Sequence, residues 1–142
     1  MDAKPLTERY AVSPQITAED VAAAKAAGFV AIVCNRPDEE VPPPLQAAAI
    51  GAAAEAAGLT FVVNPIRPGE MGAEAVATQA RAVAEAEGPV LAYCRSGTRS
   101  AVVWMFGAAS ETDSDTLLSA ARAQGYMLDE LRPQLAAING AD

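Results

Sequence analysis

The chain has 142 residues, a formal net charge of −8, 34 alanines, two cysteines and no histidine. Its length suits one domain with a real core, and its acidic balance speaks against a nucleic-acid or anionic-membrane surface while leaving room for one local anion site. The missing histidine excludes Ser-His-Asp and Cys-His nucleophiles, histidine bases and His-ligated zinc, and two cysteines cannot supply a four-cysteine metal site, so carboxylate, lysine, thiolate or cofactor chemistry remains.

Residues 1–9 read as a loose N-terminal arm, and 10–13 as a short edge strand. Thr17, Glu19 and Asp20 resemble an N-cap with acids in the first turn of a helix that runs to Gly28. Residues 29–34 (FVAIVC) form a continuous apolar run, the pattern of a strand buried on both faces. A polar turn follows at 35–40, then a helix at 45–57 stopped by Gly58. Residues 59–63 (LTFVV) read as a second buried strand, 64–72 as a loop, and 73–87 as a third helix closed by Gly88. Residues 89–93 (PVLAY) make a third buried strand. An apolar helix is predicted at 100–109, and two more at 113–124 and 128–138, with Pro133 demanding a kink or break in the last.

This alternation predicts an α/β fold with a mostly parallel sheet flanked by helices on both sides. Ligands of such sheets bind at the carboxyl ends of the strands. The longest stretch without a charged residue, 41–54, holds three prolines and is too short for a membrane helix. The mixed charges of Asp2, Lys4, Glu8 and Arg9 do not resemble a signal peptide, so a cytoplasmic chain with reduced thiols is expected.

The chemistry concentrates at 94–100. Cys94 opens a short loop, Arg95, Ser96, Gly97 and Thr98 continue it, and Arg99 and Ser100 lead into the apolar helix. Strand, short loop and helix start turn successive backbone N–H groups into one concavity, and the helix terminus adds positive potential. Such surroundings favour a thiolate, so Cys94 is the expected nucleophile. Arg99 suits a clamp on a tetrahedral anion. Arg95, Ser96, Gly97, Thr98 and Ser100 are the expected anion-binding set, with Arg95 facing outward to select an anionic substrate and the Ser100 hydroxyl placed to donate to the thiolate or a leaving group. No metal or cofactor is needed. The plainer alternative, a buried structural cysteine flanked by surface arginines, leaves the run of polar residues unexplained.

Asn35, Arg36 and Asp38 follow the first buried strand and should share the sheet edge with Cys94. They either support the site from behind, with Arg36 adding charge near the anion and Asp38 as an acid or as the orienter of Arg99, or form a polar turn with its own Arg–Asp pair. Cys34 is either a packed core thiol, the favoured reading, or a resolving thiol for an oxidised Cys94.

The loop C-x-x-G-x-R-S resembles that of rhodanese-type sulfurtransferases, which place four residues between Cys and Arg; tyrosine and dual-specificity phosphatases place five and usually a histidine before the cysteine. Here the interval is four and Tyr93 precedes Cys94. The remaining blocks, around 10–15 (YAVSPQ), Gly28-Phe29, Asn35 to Glu40, 56–58 (AAG) and 88–100, resemble a bacterial family over roughly residues 8–110. This is the beta-lactamase-hydrolase-like phosphatase-like domain, found alone or fused to a persulfide dioxygenase. The resemblance implies a dual-specificity-phosphatase fold, a small anionic sulfur or phosphate substrate, and a persulfide dioxygenase as a partner. It leaves the activity open between phosphatase and sulfurtransferase. The short loop, and the lack of an aspartate in 64–70 where only Glu70 could stand in as an acid, favour sulfur transfer through a persulfide on Cys94. Phosphate hydrolysis through a phosphocysteine, and a non-catalytic anion-binding adaptor, are the alternatives.

Overall fold

The apolar runs pair into one five-stranded sheet in the computed structural model, which describes residues 1–140. Its strands are β1 (Lys4–Pro5), β2 (Tyr10–Ser13), β3 (Ala31–Cys34), β4 (Thr60–Val63) and β5 (Val90–Tyr93), in the spatial order β1-β2-β5-β3-β4. β2, β5, β3 and β4 are parallel, and β1 joins antiparallel to β2. The helices are α1 (Ala18–Ala26), α2 (Ala47–Ala56), α3 (Ala73–Glu85), α4 (Thr98–Ala108), α5 (Ser114–Ala123) and α6 (Arg132–Asn139).

Alternate strand residues serve two cores. Val12, Val33, Val90 and Ala92 pack against Ala101 and Met105 of α4, Leu117 and Leu118 of α5 and Leu135 of α6. Ala11, Ile32, Cys34, Leu91 and Tyr93 pack on the other face, against Val21 and Ala24 of α1 and Ile50 and Ala54 of α2. Cover on both faces explains why β3 and β5 are apolar at every position. Alanine lets α1 and α2 lie close to the sheet, and Ala24 and Ala54 are fully buried.

Local chemistry sets the helix ends. Thr17 and Asp20 form the capping box of α1 reciprocally. Gly28 and Gly58 adopt the left-handed backbone that stops α1 and α2. Helix α3 ends at Glu85, earlier than predicted: the chain turns extended at Ala86, and the Arg9 guanidinium donates to the Ala86 and Val83 carbonyls at 2.7 and 3.3 Å. Gly88 instead lets the chain pass Val30, whose Cγ1 would lie 2.9 Å from an added Cβ.

Four expectations change. The arm at 1–9 is not loose, because Lys4 and Pro5 pair with Val12 and Ala11 and Leu6 is buried. That pairing makes β2 an interior strand. β4, expected to be buried, is an edge strand at the side opposite β1, with Thr60 and Val63 exposed. The last helix begins at Arg132 rather than at residue 128: of the kink or break expected at Pro133 the structure shows the break, with a 3-10 turn over Asp129–Leu131 before α6 and the proline in its first turn, where a missing N–H breaks no helical bond.

Register places the site. Ser13, Tyr93, Cys34 and Val63 lie level across the four parallel strands. Cys94, Asn35 and Asn64 therefore emerge side by side. The Asn35 N–H bonds Tyr93 O at 2.9 Å and the Asn64 N–H bonds Cys34 O at 2.8 Å. Among the described residues, no helix is long and apolar enough to cross a membrane.

Candidate active site

The chain leaves β5 at Cys94, which is buried, and folds back within three residues, so that the Gly97 N–H donates to Cys94 Sγ at 3.1 Å. Gly97 has φ of 98°, a conformation side chains resist, and it caps α4. Helix α4 begins at Thr98, two residues before the predicted start. Arg99 and Ser100 thus belong to the first helical turn, and the helix N-terminus faces the cysteine end of the loop. Ser96 accepts from the Thr98 N–H at 3.3 Å and its hydroxyl meets that of Thr98 at 3.0 Å. The Arg95 side chain is exposed, while its carbonyl accepts from the Gln15 N–H at 3.3 Å.

Arg99 is held by a carboxylate the sequence reading did not single out. Its Nη1 and Nη2 donate to Glu40 Oε2 and Oε1 at 2.9 and 2.8 Å, and Nη1 also reaches Ile66 O at 2.8 Å. Arg36 Nε donates to the same Glu40 Oε1 at 3.2 Å, and its Nη1 to Gln15 Oε1 at 3.3 Å. The Arg99 bonds, ahead of the weaker help from Arg36, hold the Glu40 carboxyl below its ordinary range despite some burial. Glu40 in turn pushes the Arg99 guanidinium further from deprotonation.

Asp38, expected to act as an acid or to orient Arg99, lies away from the Arg99 guanidinium, whose bonds go to Glu40 and Ile66 O. It is exposed, and its Oδ1 accepts the Ala47 N–H at the start of α2 at 2.8 Å. Arg36 lies beside the arginine–carboxylate pair as a second cation on Glu40. Glu70 is exposed on the 64–72 loop, its N–H bonded to Arg67 O at 2.9 Å.

Asn35 anchors a buried polar cluster beneath the loop. Its Nδ2 donates to Ser100 Oγ at 3.0 Å and lies 3.5 Å from Gln79 Oε1, and its Oδ1 accepts from Asn64 Nδ2 at 3.2 Å. The Tyr10 hydroxyl donates to Ser100 O at 2.8 Å. Ser100, in the first turn of α4, is thereby tied to Asn35 just beyond β3 and to Tyr10 at the start of β2. Cys34 faces the α1–α2 core beside Tyr93, and its thiol donates to Arg36 O at 3.3 Å. Burial pushes that thiol up, the opposite of what a reactive cysteine requires.

A sulfur met by a backbone N–H, a helix terminus and a fixed arginine can hold a thiolate and bind a tetrahedral anion beside it. With the parallel sheet, this defines the protein tyrosine and dual-specificity phosphatase fold. The structure of Tk-PTP shares it at 19% identity with a TM-score of 0.74, covering 99% of this chain and 97% of that one.

Within that class the chain belongs to the phosphatase-like domain family of beta-lactamase hydrolase-like proteins, whose model matches residues 2–111. It is 32% identical to the beta-lactamase hydrolase-like protein of Agrobacterium fabrum over 109 residues, 77% of this chain. The chain spans about a quarter of that relative's length (25%). A candidate phosphatase from Neisseria meningitidis has a crystal structure that matches at 35% identity with a TM-score of 0.80, over 94% of this chain and 96% of that one. These likenesses favour the phosphatase reading over sulfur transfer, the reverse of the order drawn from loop length.

Proposed function

We propose that the chain is a cysteine-dependent phosphatase, with Cys94 as nucleophile and Arg99 and the loop amides of 95–100 as the anion cradle. The observation that carries this reading is the Gly97 N–H on Cys94 Sγ at 3.1 Å, with Arg99 of the same loop held by a bidentate carboxylate. The thiolate attacks phosphorus, the S–P bond forms, and the ester P–O bond breaks, its oxygen taking a proton from water. Water then attacks phosphorus, releasing inorganic phosphate and the thiolate. Glu40 is kept ionised by Arg99 and so has no proton to give to the leaving group. Aryl phosphates, whose phenolate departs without full protonation, are therefore the favoured substrate class.

One observation supports sulfur transfer as the second reading: the four-residue interval between Cys94 and Arg99, beside a Glu40 carboxyl that Arg99 holds below its ordinary range. A thiolate attacking a sulfane sulfur expels sulfite or a thiol, which needs no acid. A persulfide dioxygenase partner and a cytoplasmic setting belong with that reading.

The two separate in one experiment. Turnover of an activated aryl phosphate that falls by about 1000-fold or more in Cys94→Ser is expected. A single added sulfur on Cys94 after incubation with thiosulfate, by mass spectrometry, without aryl phosphate turnover would overturn the phosphatase reading. Neither activity, with anion affinity intact in Cys94→Ser, would identify an adaptor.

A further inference from the structure

Beyond the family match at 2–111, Tyr126 reaches back into the loop. The Tyr126 hydroxyl donates to Ser96 O at 2.9 Å. The carbonyl of Ser96 and the N–H of Gly97 belong to one peptide unit, and that N–H is the one donated to Cys94 Sγ at 3.1 Å. We propose that Tyr126 is a positioning residue: by holding the Ser96 carbonyl it aims the Gly97 N–H at the Cys94 sulfur. This rests on Cys94 being the reacting group of the site.

The physical argument is peptide geometry. The described chain has no cis bond, so C=O and N–H of this unit are coplanar and point in opposite directions. Fixing the oxygen on one side therefore fixes the hydrogen on the other. The unit needs fixing because Gly97 follows it. A glycine with φ of 98° offers little steric resistance to rotation of the 96–97 peptide plane. Rotated, the plane would turn the carbonyl oxygen toward the sulfur, where it repels a thiolate or a bound anion. The tyrosine removes that freedom, and its hydrogen bond also polarises the amide, strengthening the N–H as a donor.

Tyr126 is equipped for the task. Its own N–H bonds Ala121 O at 3.0 Å, the Lys4 ammonium lies 5.3 Å from its ring centre, and the side chain is largely buried. Burial first, then the neighbouring Cys94, keep the hydroxyl protonated above the ordinary tyrosine range, so it remains a donor. The contact also closes the space at Gly97. A Cβ there would stand 2.1 Å from the Tyr126 oxygen, so glycine is required by the clamp as well as by the backbone. A role thereby falls to the segment after α5, which carries no recognisable motif.

The test reads Cys94 directly, without substrate. Alkylation of Cys94 by iodoacetamide is followed against pH in the wild type, Tyr126→Phe, Tyr126→Leu and the exposed neighbour Met127→Ala. Tyr126→Phe removes one oxygen and leaves the ring beside Lys4; the other charged groups around the loop, Arg99, Arg95, Lys4 and Asp2, are untouched. The expected result is a rate at neutral pH lower by about 10-fold in Tyr126→Phe, less than the roughly 100-fold of losing an oxyanion donor outright, with the profile moved to higher pH. Tyr126→Leu should match it, Met127→Ala should follow the wild type, and the melting temperature should fall by only a few degrees in Tyr126→Phe. A Tyr126→Phe profile superimposable on the wild type, or a change seen only in Tyr126→Leu, would overturn the proposal. If Cys94 proves to be no nucleophile at all, aryl phosphate and thiosulfate both fail in the wild type, whereas the alkylation profile still reports whether Tyr126 holds the loop.

Discussion

Two strand-to-loop corners lie side by side at the carboxyl edge of the sheet, and each carries a cysteine at or just beyond its strand end. After β5 the chain turns into α4 within four residues, and a backbone N–H comes round to Cys94. After β3 it runs instead through 3-10 turns at Asp38–Glu40 and Pro43–Leu45 before α2 begins at Ala47. No helix terminus then faces Cys34, which keeps its proton and bonds a carbonyl. A cysteine at a strand end is thus poised for chemistry only where the following backbone folds its donors onto the sulfur. The β3 corner has a different part: Glu40 and Asn35 reach across and hold Arg99 and Ser100 of the other corner in place.

The sharpest way to break this division is to exchange like for like at both corners. Arg99→Lys removes the planar fork that meets Glu40 and leaves a point charge, so kcat/KM for an aryl phosphate should fall by about 100-fold. Arg36→Lys keeps a cation near Glu40 on the supporting side and should fall by only about 3-fold. Comparable losses from both would mean that Arg36 contacts the anion itself, and the two corners would then share one binding role.

The supporting corner is also where sequence reading ran short. The inner strands were legible because a sheet covered on both faces needs unbroken apolar runs, and 29–34 and 89–93 supply them. The loop was legible because its residues are consecutive. Glu40 was not, since its partner Arg99 lies 59 positions away, although it stands four residues after Arg36 within the Asn35 to Glu40 block. Asp38 was the better-looking carboxylate only because the turn that aims it at Ala47 cannot be read from residue types. Gln79 looked like any polar residue on a solvated helix, yet it is buried against Asn35. Tyr126 sits in a segment without a motif. The two-residue β1 is too short to show a period, so 1–9 read as a loose arm.

A milder perturbation tests the bridge between the corners. Glu40→Gln keeps one acceptor for Arg99 but loses the charge, and a loss of about 10-fold in kcat/KM is expected, mostly in KM. The variant also has a pH signature. The folded carboxyl of Glu40 titrates below its ordinary value of 4.5, chiefly through Arg99. Its stabilising contribution is therefore complete above that value and is lost as pH falls through the depressed folded value. The gap in urea midpoint between wild type and Glu40→Gln should be widest near neutral pH and should close on acidification. A gap independent of pH would show that the pair contributes packing rather than charge.

The smallest effect belongs to the second cysteine. Tyr93 and Cys34 pack into the same face of the sheet, so Cys94, the next residue after Tyr93, is directed to the opposite face, where α4 begins. A bond between the two sulfurs would require one of these corners to unwind. Mild peroxide should accordingly give no Cys34–Cys94 disulfide by mass spectrometry. Cys34→Ala should leave turnover unchanged and lower stability by about 1 kcal/mol, the loss of one small buried side chain and its weak bond to Arg36 O. A disulfide formed in good yield, or loss of peroxide recovery in Cys34→Ala, would make Cys34 a resolving thiol and place chemistry at both corners.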